Sequence, residues 1–252
     1  HYTDLPYVDA IWTAVQHLGF SGGRILEPSS GVCNFIGAMP TAIAEKSSIT
    51  AIELDQISGR IARSLYGQYG VQVQIQGFEK AKLPDGYFDL VISNVPFGNY
   101  KVGDSRHKPY SDFSIHNYFF GRSLDLVRAG GLIAFITSTS TMDHWDPSVR
   151  KYLGAVGEFL GAIRLPSGAF KEIAQTSVTT DVIFMRKRSK AARVEDQDWI
   201  DTVNAPAELR KSCFSSTHMS VNAYYVKNPA MVLGKLDFVS NGYDARSVGC
   251  IY

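Results

Sequence analysis

The chain of 252 residues is long enough for one large α/β domain, or for a domain with an appendage. Its 45% apolar and 19% charged residues exclude a disordered chain, and a net charge of +1 argues against a dedicated, strongly basic nucleic-acid-binding module. The three cysteines (Cys33, Cys213, Cys250) show no paired metal spacing, and their odd number suits a reducing compartment better than a disulfide framework.

Nothing approaches a membrane span or a signal peptide, and the start at His1 leads us to expect a piece of a longer polypeptide. After a polar lead-in, Leu5 to Leu18 carries Val8, Ile11, Trp12, Val15 and Leu18 at helical spacing, with Gly19 as the stop. Gly22 to Leu26 then reads as a first strand. It enters the loop Glu27-Pro28-Ser29-Ser30-Gly31-Val32-Cys33, where Gly31 permits a tight turn. Asn34 is expected to cap a helix through Phe35, Ile36 and Met39 towards Ala44, bent or interrupted at Pro40. A helix start favours negative charge, yet this loop opens with Glu27, which suits a cationic or hydrogen-bond-donating ligand better than a pyrophosphate.

Ile49 to Asp55 is a second strand ending in two acids, roughly 20 residues past the loop, where an acid commonly takes ribose hydroxyls. Glu53 is the expected ribose ligand; the alternative has Asp55 capping a helix from Ile57 to Tyr66 and Glu53 solvated. Val71 to Gln76 alternates apolar and polar, as a half-covered strand should. Behind it, Phe78 reads equally as core or as an apolar wall for an adenine, and Glu79 as a surface acid or an adenine contact. After the turn Leu83 to Gly86, the buried run Phe88 to Ile92 leads into Asn94-Val95-Pro96-Phe97-Gly98. This motif places an amide, a fixed bend and an aromatic face at a strand end, the edge at which α/β sheets bind ligands.

The long polar stretch from Asn99 to Ser114 carries Lys101, Arg106, His107 and Lys108, read as a solvated lid or as a contact for DNA phosphates. A helix from Ile115 to Val127, a strand Leu132 to Ile136, a hydroxyl-rich loop Thr137 to Thr141 and a short helix Pro147 to Val156 follow. Phe159 to Pro166 and Thr179 to Met185 complete seven strands, the first five expected to be separated by helices. From Arg186 the composition turns polar, with Trp199 and Ile200 as anchors and Val221 to Tyr225 and Met231 to Gly234 as short docking elements.

Taken together these segments resemble the adenine-N6 DNA methyltransferases dependent on S-adenosylmethionine. The resemblance rests on Glu27, Pro28, Ser29 and Gly31 followed by Asn34-Phe35, on the acid Glu53, and on Asn94-Val95-Pro96-Phe97 in that order. Tyr2-Thr3 matches a short motif that helps enclose the methionine end of the cofactor. The chain is more similar still to the methylase part of large methylase-helicase fusions of phages and mobile elements. That likeness rests on Asn94 to Gly98, Arg164-Leu165-Pro166, Thr179-Thr180-Asp181 and Asn228 to Gly234.

The resemblance implies a Rossmann-like class I methyltransferase fold, α/β, with a seven-stranded, mostly parallel sheet and helices on both faces. It implies a catalytic domain over residues 1–188 and a docked extension or linker over 189–252 leading to further domains. The implied cofactor is S-adenosylmethionine, leaving as S-adenosylhomocysteine. Tyr2, Thr3, Glu27, Pro28, Ser29, Gly31, Asn34, Phe35, Glu53, Leu54, Phe78, Glu79 and Asn94 would hold it, and no metal is implied. Asn94, Val95, Pro96 and Phe97 would hold a flipped-out adenine. The implied partners are DNA and covalently linked helicase or recognition domains, with no membrane, in the cytoplasm of a bacterium or a phage host. Val95 replaces the first proline of the commonest motif but keeps its carbonyl. Phe78-Glu79 stands where an aspartate is commoner. The same amide-and-aromatic arrangement also serves RNA adenine or a protein glutamine, and a non-catalytic cofactor-binding module is the reading outside enzymes. A nicotinamide dehydrogenase does not fit, because the loop lacks the Gly-x-Gly-x-x-Gly spacing and Glu27 would repel a pyrophosphate.

Overall fold

The computed structural model describes residues 3–167, 169, 179–194, 197–211, 218–239 and 247–251. Helix α1 (Leu5–His17) starts at a proline in its first turn and buries the stripe Val8, Ile11, Trp12 and Val15, as its periodicity predicts. Strand β1 (Arg24–Glu27) follows. The predicted helix after it is split at Pro40 into two single turns, α2 (Asn34–Gly37) and α3 (Thr41–Ala44). Next come β2 (Ser48–Glu53), α4 (Gln56–Tyr66), β3 (Gln72–Ile75) and β4 (Phe88–Asn94). Then α5 (Ile115–Leu126) runs directly into the long strand β5 (Val127–Ser138). A single turn, α6 (Ser140–Asp143), and α7 (Ser148–Val156) lead to β6 (Gly157–Arg164) and β7 (Thr180–Lys187).

These seven strands form one sheet in the order β3-β2-β1-β4-β5-β7-β6. Pairing is parallel from β3 to β5, and β7 runs antiparallel to both β5 and β6. The strands β4 and β5 are apolar without alternation because helices cover both faces of the sheet there, and two core clusters result. The chain order reverses between β1 and β4, so a crevice opens beyond their C-terminal ends. This seven-stranded order is that of the class I methyltransferase fold.

One connection departs from expectation. No α-helix joins β3 to β4. A single 3-10 turn (Phe78–Lys80) does so, in a segment that also carries the helix breakers Gly77, Pro84 and Gly86. Buried Arg122 of α5 holds this segment down, donating to the carbonyls of Phe78 (3.3 Å) and Ala81 (2.7 Å).

The polar tail packs on the same core. Trp199 and Ile200 are buried as predicted, and Trp199 stacks on Phe159 with ring centroids 4.6 Å apart. Small antiparallel pairs are made by β8 (Thr202–Asn204) with β9 (Ser220–Asn222), and by β10 (Lys235–Val239) with β11 (Ser247–Ile251). A short helix, α8 (Ala223–Lys227), sits between them and is capped by Asn222. Asn222 also donates to the carbonyls of Met142 (2.7 Å) and Trp199 (2.8 Å), which ties the tail to α6. No described helix is long and apolar enough to cross a membrane.

Candidate active site

The crevice at the β1/β4 switch holds a cavity of about 280 Å³ lined by the β1 loop, the end of β2, the start of α4, the end of β4 and Thr3. Glu27 closes β1. Its side chain is 1% exposed, and Oε2 has no hydrogen-bond partner among the described residues. Burial, reinforced by the neighbouring Glu53, pushes its carboxyl well above the usual range. An unpartnered buried carboxylate is costly, so a donor or cation entering this cavity relieves it.

The loop after Glu27 turns through left-handed backbone at Gly31 (φ 54°) and at Cys33 (φ 69°). A side chain on Gly31 would meet open space, so the glycine is required by backbone conformation rather than by crowding. The Gly31 amide donates to Glu53 Oε2 (2.6 Å), and the Asp55 amide to Glu53 Oε1 (2.7 Å). Glu53 is therefore held by backbone amides rather than solvated, and it joins the loop to the second strand. Asp55 caps α4 through the Ser58 amide (2.7 Å), as the alternative reading of this strand end had it, and those bonds lower its pKa.

Asn94 is the last residue of β4 and enters the same cavity with Val95 and Pro96. Its Nδ2 donates to Thr3 Oγ1 (3.2 Å). Val95 is buried, and its amide donates to the Ile136 carbonyl of β5 (3.1 Å), which fixes the peptide after the strand. Phe97 is half-buried and packs against both core clusters, outside the cavity lining.

The cavity thus brings together Thr3, Glu27, Ser29, Gly31, Asn34, Phe35, Glu53, Asn94, Val95 and Pro96 of the predicted set. Pro28 is buried and Leu54 is 74% exposed, and neither lines the cavity. Tyr2 lies outside the described residues. Phe78 and Glu79 are not brought there either. The Phe78 ring sits in the core against Phe119 (4.9 Å) with the Arg122 guanidinium above it, and Glu79 lines a separate groove. Asn34 does not cap its helix. It is the first helical residue, and its amide donates instead to the Thr3 carbonyl (3.4 Å), a tertiary partner that outcompetes the local cap. The lining residues missed in the sequence are Ser30, Val32, Asp55 and Ser58. The capping pair Asp55 and Ser58, three apart after a strand end, was the available signal.

The stretch 99–114 is anchored rather than open. Lys101 pairs with Asp112 (3.2 Å), Lys108 with Asp125 (3.6 Å), and Arg106 with Asp104, which also accepts from Tyr118. Burial raises the Asp104 pKa, but Arg106 and Tyr118 overcome it and hold the carboxyl near 2.

The donor set of the cavity is chemically one-sided. Among the described residues, three carboxylates (Glu27, Glu53, Asp55) line it with no lysine or arginine, so it suits a ligand that is cationic and rich in hydroxyl and amine donors. It offers nothing to a pyrophosphate.

Residues 40–155 match the family model described as Eco57I restriction-modification methylase, a span that includes Glu53 and Asn94 to Phe97. The protein of Escherichia phage P1 named defense against restriction protein B is 35% identical over 191 residues, 74% of this chain and 8% of that protein. The type II methyltransferase M.XamI of Xanthomonas campestris pv. amaranthicola is 27% identical over 171 residues, 60% of this chain and 32% of that protein. The chain thus spans well under half the length of the curated relatives it matches. Among solved structures, the M protein of the type I restriction enzyme EcoKI superposes with a TM-score of 0.62 at 15% identity, over 93% of this chain and 54% of that one. Sequence match and sheet order agree: over residues 40–155 the chain is similar to the restriction-modification methylases, and its fold is that of the class I methyltransferases.

Proposed function

We propose that this chain is the catalytic domain of a DNA methyltransferase that transfers a methyl group from S-adenosylmethionine to the exocyclic N6 amine of adenine. The observation that carries the reading is that an orphaned, buried carboxylate and the strand-end amide share one cavity. Glu27 and Glu53 line it at one side and Asn94 to Pro96 at the other. Glu27 would take the cationic amine of the cofactor, and Glu53 its ribose hydroxyls. When bound, the cofactor supplies a methyl group on a sulfonium, a leaving group good enough that neither a metal nor a covalent enzyme intermediate is needed.

The work left to the protein is positioning and electrostatics. An adenine amine is a poor nucleophile because its lone pair is delocalised into the ring. Asn94 Oδ1 and the Val95 carbonyl would each accept one amine hydrogen, which favours a tetrahedral nitrogen with a localised lone pair. The Thr3 hydroxyl ties the Nδ2 end of Asn94, so the amide presents its oxygen to the acceptor. The bond from the Val95 amide to Ile136 fixes the peptide that carries the second acceptor. Pro96 stiffens the bend, and Phe97 offers a ring for the base to stack on. The target base must leave the duplex or be single-stranded to reach this depth. In the longer protein, linked helicase or recognition domains would select the site on DNA.

The test is transfer of labelled methyl from S-adenosylmethionine to adenine-containing DNA, with structured RNA and a protein extract as competing acceptors and Asn94→Ala in parallel. Label appearing in DNA adenine and lost in the variant is the expected result. Label appearing in RNA or protein instead would overturn the DNA assignment.

A further inference from the structure

A second cavity, of about 290 Å³, lies at the same sheet edge beside the Asn94–Phe97 loop. That volume is near the lower end for small-ligand pockets, roughly 300–1,000 Å³. Neither Asn94 nor Phe97 lines it. Asn99 forms one wall, the start of α5 a second, and the segment from α6 to α7 the third. Its walls are joined by a chain of side-chain hydrogen bonds. Thr137 and Thr141 bond at 3.2 Å, Thr141 donates to Asn117 (3.0 Å), and Asn117 donates to Ser114 (3.1 Å). Ser114 bonds to the His116 ring at Nε2 (3.1 Å), and among the described residues His116 Nδ1 has no hydrogen-bond partner. Burial holds His116 neutral, with its pKa near 4, so the ring is an uncharged hydrogen-bonding group at neutral pH.

Two features go beyond a structural polar network. Arg150, 1% exposed, lines the cavity and donates to the Ile200 and Thr141 carbonyls, but its Nη2 has no hydrogen-bond partner among the described residues. A buried donor left unpaired is destabilising unless something else uses it. Beside the cavity, Trp145 is 80% exposed, its indole stacked on His144, which lines the wall (centroids 5.7 Å apart, 26° between planes). The other two tryptophans, Trp12 and Trp199, are buried.

The charge on the walls decides the class of ligand. Among the described residues, the lining carries two carboxylates, Asp112 and Asp146, and one guanidinium, Arg150, so the site does not favour a phosphate. Neutral donors and acceptors with a stacking ring at the edge suit a nucleobase.

We propose that this cavity is a second base-binding subsite, which takes a nucleobase next to the methyl acceptor in the same strand, with Trp145 as its stacking surface. The proposal rests on the reading of the chain as a DNA methyltransferase. Asn99, on the cavity wall and directly after Gly98, would then couple occupancy of the subsite to the placement of the catalytic loop, giving the domain a preference for the bases that flank its target.

The 252-residue chain should be titrated with a single-stranded oligodeoxynucleotide carrying one adenine, and with the same strand made abasic at the two positions flanking that adenine. Binding is read by quenching of the exposed tryptophan and by fluorescence anisotropy of an end-labelled strand. The intact strand is expected to bind roughly tenfold tighter, the scale of one base–aromatic stack. Trp145→Ala should erase that difference, and Ser148→Ala, on the cavity wall, should reduce it. Equal binding of the two strands, or a difference that survives Trp145→Ala, would overturn the subsite. Methyl transfer measured on the same samples separates the two claims. Methylation of adenine without any effect of the flanking bases removes the subsite alone, whereas no binding and no methylation removes both.

Discussion

The two halves of the sheet edge treat buried charge in opposite ways. On the β6/β7 side, Arg164 is fully buried, and its charge is matched by two aspartates although Nη1 makes no hydrogen bond among the described residues. It makes a two-pronged pair with Asp181 (2.8 and 2.9 Å) on the facing strand, meets Asp143 at 2.7 Å and lies over the Tyr225 ring. On the β1/β4 side, Glu27 is as deeply buried, but its nearest charge is the like-signed Glu53, and one oxygen has no hydrogen-bond partner among the described residues. A matched charge fixes structure and binds the tail to the domain. An unmatched one is retained at a cost in stability, and that cost is recovered only when a ligand arrives. The contrast marks β6 and β7 as scaffold and the β1/β4 crevice as site.

Breaking the matched side should do the most damage to the fold. Arg164→Met strands Asp181 and Asp143 and should cost about 3–5 kcal/mol, read as a lowered denaturant midpoint. Replacing Arg164, Asp143 and Asp181 together with apolar residues should recover most of it. If Arg164→Met left stability unchanged, the buried cluster would not be the scaffold described.

On the unmatched side, Asn94→Ala should lower methyl transfer by roughly 100-fold or more while leaving cofactor affinity nearly unchanged, because it removes an acceptor used at the reacting nitrogen. Loss of cofactor binding in equal measure would assign Asn94 to the cofactor instead.

Glu27→Gln should act on binding and on pH together. The folded pKa of Glu27 is raised, so the stability linked to its neutral form is present below the ordinary glutamate range and is lost as pH rises through the raised value. The ligand-free protein should therefore weaken as pH rises, while cofactor binding, which on the proposed function uses the ionised carboxylate, should tighten. Glu27→Gln should flatten both trends and weaken binding by about tenfold at neutral pH, near the 1.5–3 kcal/mol of a charged hydrogen bond. Thermal melts and isothermal titration across pH 5 to 8 would check it; trends that persist in the variant would locate the titrating group elsewhere.

The smallest effect is expected at Thr3. Thr3→Val keeps the shape and removes the hydroxyl that orients the Asn94 amide. A few-fold fall in kcat with little change in KM for the cofactor is expected, with recovery in Thr3→Ser. A change in cofactor KM alone would make Thr3 a simple cofactor contact.

At the opposite end of the sheet, Asp89 shows how a matched carboxylate behaves. Burial raises its pKa, but the bonds from Arg24 (2.8 and 2.9 Å) and Arg128 (2.5 Å) hold it near 2. That contribution is present above the ordinary aspartate range and is lost as pH falls through the depressed value, opposite in sign to Glu27.

Local pattern alone determined a great deal about this protein. The stripe of α1, the strand ends at Glu27, Glu53 and Asn94, the break at Pro40 and the cap at Asp55 all follow from residues within a few positions of one another. Glycine, proline, capping and apolar spacing act over such distances, so these features were legible without a structure. The tertiary structure decided which polar groups found partners. The Thr3–Asn94 bond spans 91 positions, Gly31 reaches Glu53 across 22, and Asn34 leaves its expected cap for Thr3 across 31. It also drew Phe78 into the core through Phe119 and Arg122, replaced the expected helix between β3 and β4 by one turn, and paired the basic residues of 99–114 with acids. Apart from the ion pairs within 99–114, where Arg106 and Asp104 stand two positions apart, each outcome depends on groups from distant segments competing for the same buried atom. Residue type and spacing carry no record of that competition, and only the packed chain resolves it.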